Sequence, residues 1–326
     1  CRLWIDGEGE TLVPMTREES AERARFSCDI KLNEPSITWY SFIIELSDGS
    51  VKRYGAAQGR TGGEGQLYDY EPPSFQITVY KERKAPRWYK DGILYLVFPD
   101  RFRRGEGWRQ LAQKAVPGIH KNGPARVVEE DWYKPPMYKR NEKGEVISWD
   151  FYGGTLSRIR EKLGYLKELG VTVLYLNPIF EAASNHRYDT GNYMQVDPLL
   201  GGDDAFKELA AEARRMGISI ILDGVFNHSG SDSLYFNIYG NYPTLGAPQS
   251  KDPPYRDWYR FDNSPTGYEC WWGVADMPNF EESNSDFRKL IFEGEDSVVR
   301  TWLRAGARGW RLDVADELPD SFIAGI

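Results

Sequence analysis

The segments ISIILD (residues 218–223) and GWRLD (residues 309–313) are short apolar stretches that each end on an aspartate. A buried parallel strand has this pattern when it delivers a carboxylate to the rim of a barrel. Two similar apolar runs come earlier, at residues 93–98 and 171–176, and helical patterns separate the runs. Strands and helices in this alternating order predict right-handed crossovers and an α/β fold with a parallel sheet.

Three helices are predicted between these strands, because apolar residues recur every three or four positions. The first covers residues 156–169 between Thr155 and Gly170, the second covers residues 206–216, and the third covers residues 287–305. A long segment rich in Tyr, Pro, Gly and Trp, residues 229–284, is inserted between the third strand and its helix. Loops of this length are usually functional or form a subdomain.

Residues 1–82 have a different pattern, in which apolar and polar positions alternate over short stretches. Turn signals such as SDGS at residues 47–50 separate these stretches. The pattern predicts an N-terminal β-sandwich domain at residues 1–82, followed by the α/β domain at residues 83–326. The chain lacks an initiator Met and opens on a predicted strand, so we expect that upstream sequence was removed.

Composition narrows the class of partner. The chain of 326 residues has 41 Lys and Arg against 49 Asp and Glu, a net charge of −8, so it has no basic surplus for nucleic acid. Aromatic residues make up 14% of it, with 11 Trp and 20 Tyr. This surplus favours a sugar ligand, since flat rings stack on pyranose faces; ordinary packing in a β-rich domain is the alternative.

The remaining compositional signals concern compartment. Cys1, Cys28 and Cys270 are too few and too scattered for a disulfide framework or a zinc site. The sequence contains neither an apolar run of 18 residues nor a signal-peptide pattern. We therefore predict no membrane association and a cytoplasmic location, with secretion or cell-surface display as the alternative.

Five motifs together resemble the alpha-amylase family, glycoside hydrolase family 13. In chain order they are GVTVLYLNPIF (170–180), SNHRYD (184–189), DGVFNH (223–228), MPNF (277–280) and GWRLDVADE (309–317). The resemblance extends over nearly the whole chain and is strongest to the neopullulanase and cyclomaltodextrinase branch. It implies a (β/α)8 TIM-barrel catalytic domain behind an N-terminal β-sandwich, with residues 229–284 as a B-domain-like insertion.

The resemblance also implies roles for individual residues. Asp313 matches the nucleophile of a retaining glycoside hydrolase, and Arg311, on the same strand face, would pair with its carboxylate. His228 matches a donor to the sugar, while His186 and Tyr188 resemble the pair that bonds to and stacks on that sugar. Asp223 and Asn227 resemble framework residues. Trp271 and Trp272 could stack on substrate or belong to the core of a subdomain.

Only the first half of the barrel is expected in this chain. Thirteen residues follow Asp313, so just four of eight strands are present. The family's acid glutamate and second aspartate follow later strands, and the general acid that protonates the leaving oxygen is therefore missing. We expect this chain by itself to be inactive. Its open sheet edge invites association into a homodimer.

No cofactor and no metal are predicted. Some relatives bind calcium after the first strand, where oxygen ligands gather. The corresponding stretch here, residues 99–107, contains Arg103 and Arg104 with few carboxylates, which argues against calcium. Asn227 matches one calcium ligand of ordinary alpha-amylases, but one ligand does not make a site.

The predicted activity is hydrolysis of an α-glucan of the maltodextrin, cyclodextrin or pullulan type through a covalent intermediate on Asp313. Two alternatives stay open. A transglycosylase would use the same nucleophile and would differ only in how water reaches the intermediate. The second alternative is a noncatalytic α-glucan-binding relative; the intact Asp313, Arg311, His228 and His186 argue against a decayed site.

Overall fold

A computed structural model describes residues 1–5, 7–19, 23–59, 62–82, 84–116, 118, 120–252 and 254–326. The chain divides into two compact units, Cys1–Ala85 and Pro86–Ile326. The division lies close to the boundary predicted between residues 82 and 83, of which residue 83 is outside the described residues. Each unit is described by itself below.

The first unit consists of antiparallel strands, as their alternating pattern predicts. Five of them form the sheet order β2-β1-β5-β6-β7, β8 pairs with β5, and β3 pairs with β4 alone. The packing of two sheets into a sandwich stays a prediction. The strands are β1 (Arg2–Ile5), β2 (Gly9–Leu12), β3 (Thr16–Glu19), β4 (Ala24–Ser27), β5 (Ser36–Glu45), β6 (Val51–Gly55), β7 (Gln66–Tyr68) and β8 (Phe75–Val79).

The second unit contains a four-stranded sheet in which every neighbouring pair is parallel. The strand order is the reverse of chain order, so consecutive strands are neighbours, as the repeated strand and helix pattern predicts. The strands are β9 (Leu94–Val97), β13 (Val173–Leu176), β16 (Ser219–Gly224) and β17 (Gly309–Leu312).

Smaller strands and the helices complete this unit. A three-stranded sheet and a two-stranded hairpin have no counterpart in the sequence analysis. Their strands are β10 (Ala125–Val128), β11 (Lys139–Arg140), β12 (Val146–Phe151), β14 (Phe180–Ala182) and β15 (Thr190–Val196). The α-helices are α1 (Arg87–Lys90), α2 (Trp108–Ala115), α3 (Leu156–Arg160), α4 (Leu163–Glu168), α5 (Gly202–Arg215), α6 (Ser285–Arg288), α7 (Val298–Arg304) and α8 (Asp320–Gly325).

The predicted helix over residues 287–305 is wrong as a single element. After α6 the chain makes a π-helical turn at Lys289–Glu293 and then leaves the helix at Gly294. A Cβ atom at Gly294 would lie 2.6 Å from the carbonyl oxygen of Lys289, so this exit needs glycine. Helix α7 starts afresh after Ser297. The predicted first helix is likewise divided into α3 and α4, although Thr155 caps it as expected.

The parallel sheet has two different faces, because side chains alternate along each strand. Leu174, Leu176 and Leu222 point into the large core formed with the helices. Val173, Tyr175 and Ile221 point to the other side, where Trp88 contacts them. On β9 this second side carries Leu94 and Leu96, which are 46% and 52% exposed. The polar residues discussed below lie at one end of this second face.

Residues 229–252 and 254–284 pack into the same large core through aromatic rings. The ring of Tyr259 lies 4.9 Å from those of Phe236 and Phe280, and Phe280 stacks on Phe287 at 4.1 Å. The insertion is therefore a packed part of the second unit. Among the residues described, no helix is both long and apolar enough to cross a membrane.

Replacement of Leu174 by alanine tests the central position of β13 in this core. Leu174 is fully buried, so we expect a loss of about 3 kcal/mol in the free energy of unfolding, measured with urea. Leu169→Ala is the matched control, since Leu169 is 53% exposed and should cost no more than about 0.5 kcal/mol. Equal losses in the two variants would contradict this packing.

Candidate active site

Two aspartates meet at one arginine where β16 and β17 end. Asp223 and Arg311 are register partners on adjacent strands, so their side chains share one face of the sheet. Arg311 Nη1 donates to Asp223 Oδ1 at 3.0 Å and also donates to Asp313. The backbone N–H of Asp313 donates to the carbonyl of Gly224 at 3.0 Å, which holds Asp313 beside the neighbouring strand. One guanidinium group thus neutralises part of the charge of two carboxylates.

Asp223 is the buried member of the pair, with 2% of its surface exposed. Its Oδ2 atom accepts hydrogen bonds from the hydroxyl groups of Tyr175 and Tyr188, the latter at 3.1 Å. Burial raises the pKa of Asp223 above its ordinary value, and the bonds from Tyr175 and Arg311 oppose that rise. Asp223 is therefore the shared hydrogen-bond acceptor of Tyr175, Tyr188 and Arg311, and its framework role stays a prediction.

Tyr175 was not recognised from the sequence. It stands on the second face of β13, two residues before Asn177. The side chain of Asn177 donates to the Tyr188 hydroxyl at 2.8 Å. Burial raises the pKa of Tyr188 to about 12, and the Asp223 carboxylate adds to this. Alternation along β13 was the available signal, because it places Tyr175 on the face that ends at Asp223.

His186 and Tyr188 lie on one tight turn. The backbone N–H of Tyr188 donates to His186 Nδ1 at 3.1 Å. Burial lowers the pKa of His186, so the ring is neutral near pH 7. With Nδ1 accepting, the ring proton is on Nε2, which can donate to a hydroxyl group. Trp149 packs its ring edge-on against His186 at 5.0 Å and was not predicted.

Arg187 forces the turn between them. It has a φ of 62°, although it is not glycine, and only 1% of it is exposed. Arg187 Nε donates to Asp197 Oδ2 at 2.7 Å, and Arg126 donates to the same carboxylate oxygen at 3.1 Å. This buried ion cluster holds the left-handed backbone that presents His186 and Tyr188 on the same side.

His228 is buried, with 1% of its surface exposed, and burial lowers its pKa to about 4. His228 Nδ1 lies 3.2 Å from Oδ1 of Asn227, an oxygen that can only accept. His228 Nε2 has no hydrogen-bond partner within the described residues, so this atom is available to a ligand. The role of His228 as a donor to the sugar stays a prediction. The ring of Trp271 lies beside it at 5.6 Å.

The structure brings the seven predicted site residues into one group. Asp313, Arg311, Asp223, Tyr188 and His186 are joined by successive hydrogen bonds. Asn227 contacts His228 directly, and His228 lies close enough to His186 and to the Tyr188 backbone for both to affect its pKa. Their roles in chemistry remain predictions. The arrangement offers one carboxylate beside a cation, with hydroxyl and imidazole groups on the same side.

In residues 99–107, the segment where some relatives bind calcium, the positively charged side chain of Arg104 binds the nearby carbonyl oxygens. Arg104 donates to the carbonyl oxygens of Tyr152, Glu129 and Glu130. The Asp100 carboxylate accepts from the backbone N–H groups of Tyr152 and Gly153. Throughout the described part of the chain, no three His, Cys, Asp or Glu side chains converge as a metal site would require. These residues do not fit calcium, and the absence of a metal stays a prediction.

The third histidine, His120, lies in a buried cluster that the sequence did not reveal. Its Nδ1 atom lies 2.6 Å from Asp232 Oδ2, and its Nε2 atom contacts Glu181. Both carboxylates accept, so both ring nitrogens must carry protons and the ring is cationic. Burial opposes this charge, but the bonds to Asp232 and Glu181 raise the pKa of His120 to about 9. The cluster joins β14 to the inserted segment, with Tyr242 donating to Glu181 at 2.6 Å.

Because of this cluster, we expect the protein to lose stability at alkaline pH. The folded pKa of His120, about 9, lies above the ordinary value of 6.5. Its contribution of about 3 kcal/mol is therefore fully present below pH 6.5 and is lost as the pH rises through 9. Urea unfolding between pH 6 and pH 10 measures it. His120→Gln should be less stable at pH 6 and should lack this dependence; a parallel decline in both proteins would contradict the assignment.

Known proteins share this arrangement of elements. The family model described as alpha amylase, catalytic domain, matches residues 96–323, which is most of the chain. The chain belongs to the alpha-amylase family. Membership accounts for the parallel strands with Asp223 and Asp313 at their ends, since the catalytic domain of this family is a (β/α)8 barrel whose site lies at that end of the strands.

Individual alpha-amylase family members are similar over different shares of their length. The amylopullulanase of Thermoanaerobacterium saccharolyticum is 40% identical over 98% of this chain and 27% of its own length. Neopullulanase 2 of Thermoactinomyces vulgaris is 34% identical over 73% of this chain and 36% of its own. The structure of the cyclic α-maltosyl-(1→6)-maltose hydrolase of Arthrobacter globiformis is 31% identical with a TM-score of 0.58, over 73% of this chain and 48% of that one. The chain thus spans about a quarter to a half of these relatives.

Proposed function

We propose that the protein that contains this chain, called the natural protein below, hydrolyses α-glucans with retention, through a covalent intermediate on Asp313. The observation that carries the proposal is the guanidinium of Arg311, which is shared by Asp223 and Asp313 at the ends of adjacent strands. Asp223 is enclosed, whereas the side chain of Asp313 is 13% exposed. Asp313 is therefore the carboxylate of this pair that a sugar can reach.

In this mechanism Asp313 attacks the anomeric carbon, and the glycosidic oxygen leaves as it takes a proton from a carboxylic acid. Water then cleaves the ester that links the sugar to Asp313. Arg311 pairs with the carboxylate that leaves again in this second step, while His186, His228 and Tyr188 bind the hydroxyl groups of the attacked sugar. We assign the acid that donates the proton to none of the described residues.

An activated substrate tests the nucleophile without that acid. A 5-fluoro-α-glycosyl fluoride loses fluoride without needing a proton, and its second fluorine slows hydrolysis of the ester. We expect incubation with the natural protein to add one fluoroglycosyl group, located by mass spectrometry on the peptide that contains Asp313. Attachment elsewhere would overturn the proposal. Asp313→Asn is the control, and it should remain unlabelled.

The substrate class follows from the names of the relatives, which include enzymes acting on pullulan and on cyclic maltosyl-maltose. We infer a maltodextrin, cyclodextrin or pullulan type of α-glucan for this protein. Incubation with maltotriose separates the two catalytic alternatives, because hydrolysis yields only shorter saccharides and transfer yields longer ones as well. A homodimer and a cytoplasmic location remain predictions.

A further inference from the structure

Trp272 is the most unusual surface residue of the inserted segment. It is 83% exposed, so it is not the core residue that its neighbourhood in the sequence would allow. Its backbone has φ 49° and ψ 31°, the left-handed conformation that a bulky L-residue rarely adopts. Both features are unfavourable for stability, because the residue carries backbone strain and leaves a large apolar ring in water. Packing within the described residues does not explain the position.

A hydrogen bond fixes the ring in one orientation. The Nε1–H group of Trp272 donates to Glu317 Oε1 at 2.7 Å. Glu317 lies in the turn that follows Asp313, and this turn contains a second left-handed residue, Val314, with φ 43°. The contact therefore links the inserted segment to the chain directly after the predicted nucleophile. It also uses the one polar group of the indole, so the exposed ring offers apolar faces.

The ring continues a row of rings that begins inside the site. Trp271 lies 5.6 Å from His228 with 30° between the ring planes, and Trp272 lies 5.9 Å from Trp271 at 34°. His228 is the buried end of this row and Trp272 is its exposed end. A saccharide that occupies the site at His228 and extends along the row would bring a further sugar unit to Trp272.

We propose that Trp272 is a saccharide-binding residue for a sugar unit outside the cleavage position, and that Glu317 is a positioning residue which holds its ring. This inference rests on the proposed function. The ligand is a pyranose unit of an α-glucan chain, whose apolar face stacks on the indole. Trp272 then affects long substrates that reach it and leaves the chemistry at Asp313 alone.

Kinetics on two substrates test the role of Trp272. In the natural protein, Trp272→Ala should raise KM for maltoheptaose about tenfold with little change in kcat, the size expected for one stacked ring. The loss should be confined to the long substrate. The variant's kcat/KM for α-glucosyl fluoride, which fills only the cleavage position, should equal that of the natural protein. Trp272→Phe should recover most of the affinity. The control is Tyr165→Ala, since Tyr165 is a half-exposed aromatic residue on α4.

Variants of Glu317 test the positioning role. Glu317→Gln keeps a side-chain oxygen that accepts from the indole, so its KM for maltoheptaose should match that of the natural protein. Glu317→Ala frees the ring and should raise KM by a smaller factor than Trp272→Ala. In the Trp272→Ala background, Glu317→Ala should have no additional effect on KM. An additional loss there would show that Glu317 acts independently of Trp272.

Two results would overturn the inference. Equal losses on both substrates would make Trp272 a structural residue, and unchanged kinetics on both would show that no sugar contacts its ring. If the natural protein cleaves neither substrate, the proposed function fails. Calorimetric titration with maltoheptaose then tests the role of Trp272 by binding alone. Weaker binding by Trp272→Ala than by Tyr165→Ala would support it in that case, and equal binding would reject it.

Discussion

Replacement of Asp313 by asparagine should lower kcat for an α-glucan by about 10⁴-fold or more, which is the largest effect we expect from any single change. Asparagine keeps the shape of the side chain but cannot form the ester with the anomeric carbon. It also leaves Arg311 with one carboxylate partner, Asp223, so the fold should be retained. Initial rates of reducing-sugar release and a circular dichroism spectrum of the natural protein and the variant measure the two parts of this prediction.

Chemical rescue distinguishes a nucleophile from a structural carboxylate. Asp313→Ala opens space beside Arg311, where added azide should attack the anomeric carbon. This attack is a single inversion in place of the two that give retention, so the product should be a β-glycosyl azide. The matched control is Asp316→Asn. Asp316 is an exposed aspartate in the same turn, and its loss should change kcat by no more than about threefold. Failure of azide to restore any turnover, together with activity in Asp313→Asn, would sink the assignment.

Replacement of Arg311 by methionine should have the second largest effect, a fall of about 10³-fold in kcat/KM. The guanidinium separates two carboxylates, and without it Asp223 and Asp313 repel each other across the site. The pKa of Asp223, already raised by burial, should rise further because the opposing charge is gone. The acid limb of the pH profile of kcat/KM should therefore move to higher pH. An unchanged profile in Arg311→Met would contradict this account.

The same change should reduce stability in a pH-dependent way. Asp223 would be left charged and buried, which should lower the free energy of unfolding by about 2 kcal/mol at pH 7. This loss is smaller than for breaking a fully buried ion pair, because Arg311 is partly exposed. A carboxyl group whose folded pKa is raised becomes less unfavourable as it takes up a proton, so the deficit should shrink as the pH falls toward 4. Urea unfolding at pH 7 and pH 4 measures it. Arg311→Lys is the control, since it keeps the charge but not the fork of donors.

The order of the main elements was predictable because it depends on local periodicity. The four parallel strands, the cap at Thr155 and the glycine after the second helix follow from short stretches of chain. The predicted helix over residues 287–305 failed at Gly294, where a contact with the carbonyl of Lys289, and not the apolar pattern, decides the backbone. The small strands around residues 125–151 were missed because their pairing joins segments with weak patterns of their own.

The site was predictable only in part. Asp223 and Asp313 were found because each follows an apolar strand, and the family motifs identified Arg311, His186, Tyr188, Asn227 and His228. Tyr175 and Trp149 were missed, since both are ordinary aromatic residues by composition. Their importance arises from contacts with Asp223 and His186 across the fold.

The amino-acid sequence by itself determined the strand and helix order, the identity of the motif residues and the family resemblance, because each is carried by residues close together in the chain. Tertiary structure alone decided the sharing of Arg311 between two carboxylates, the proton position on His186, the charge on His120 and the exposure of Trp272. Arg311 and Asp223 are 88 residues apart, and His120 and Asp232 are 112 apart. Charge state and hydrogen-bond partners depend on such distant neighbours, and only the folded chain brings them together.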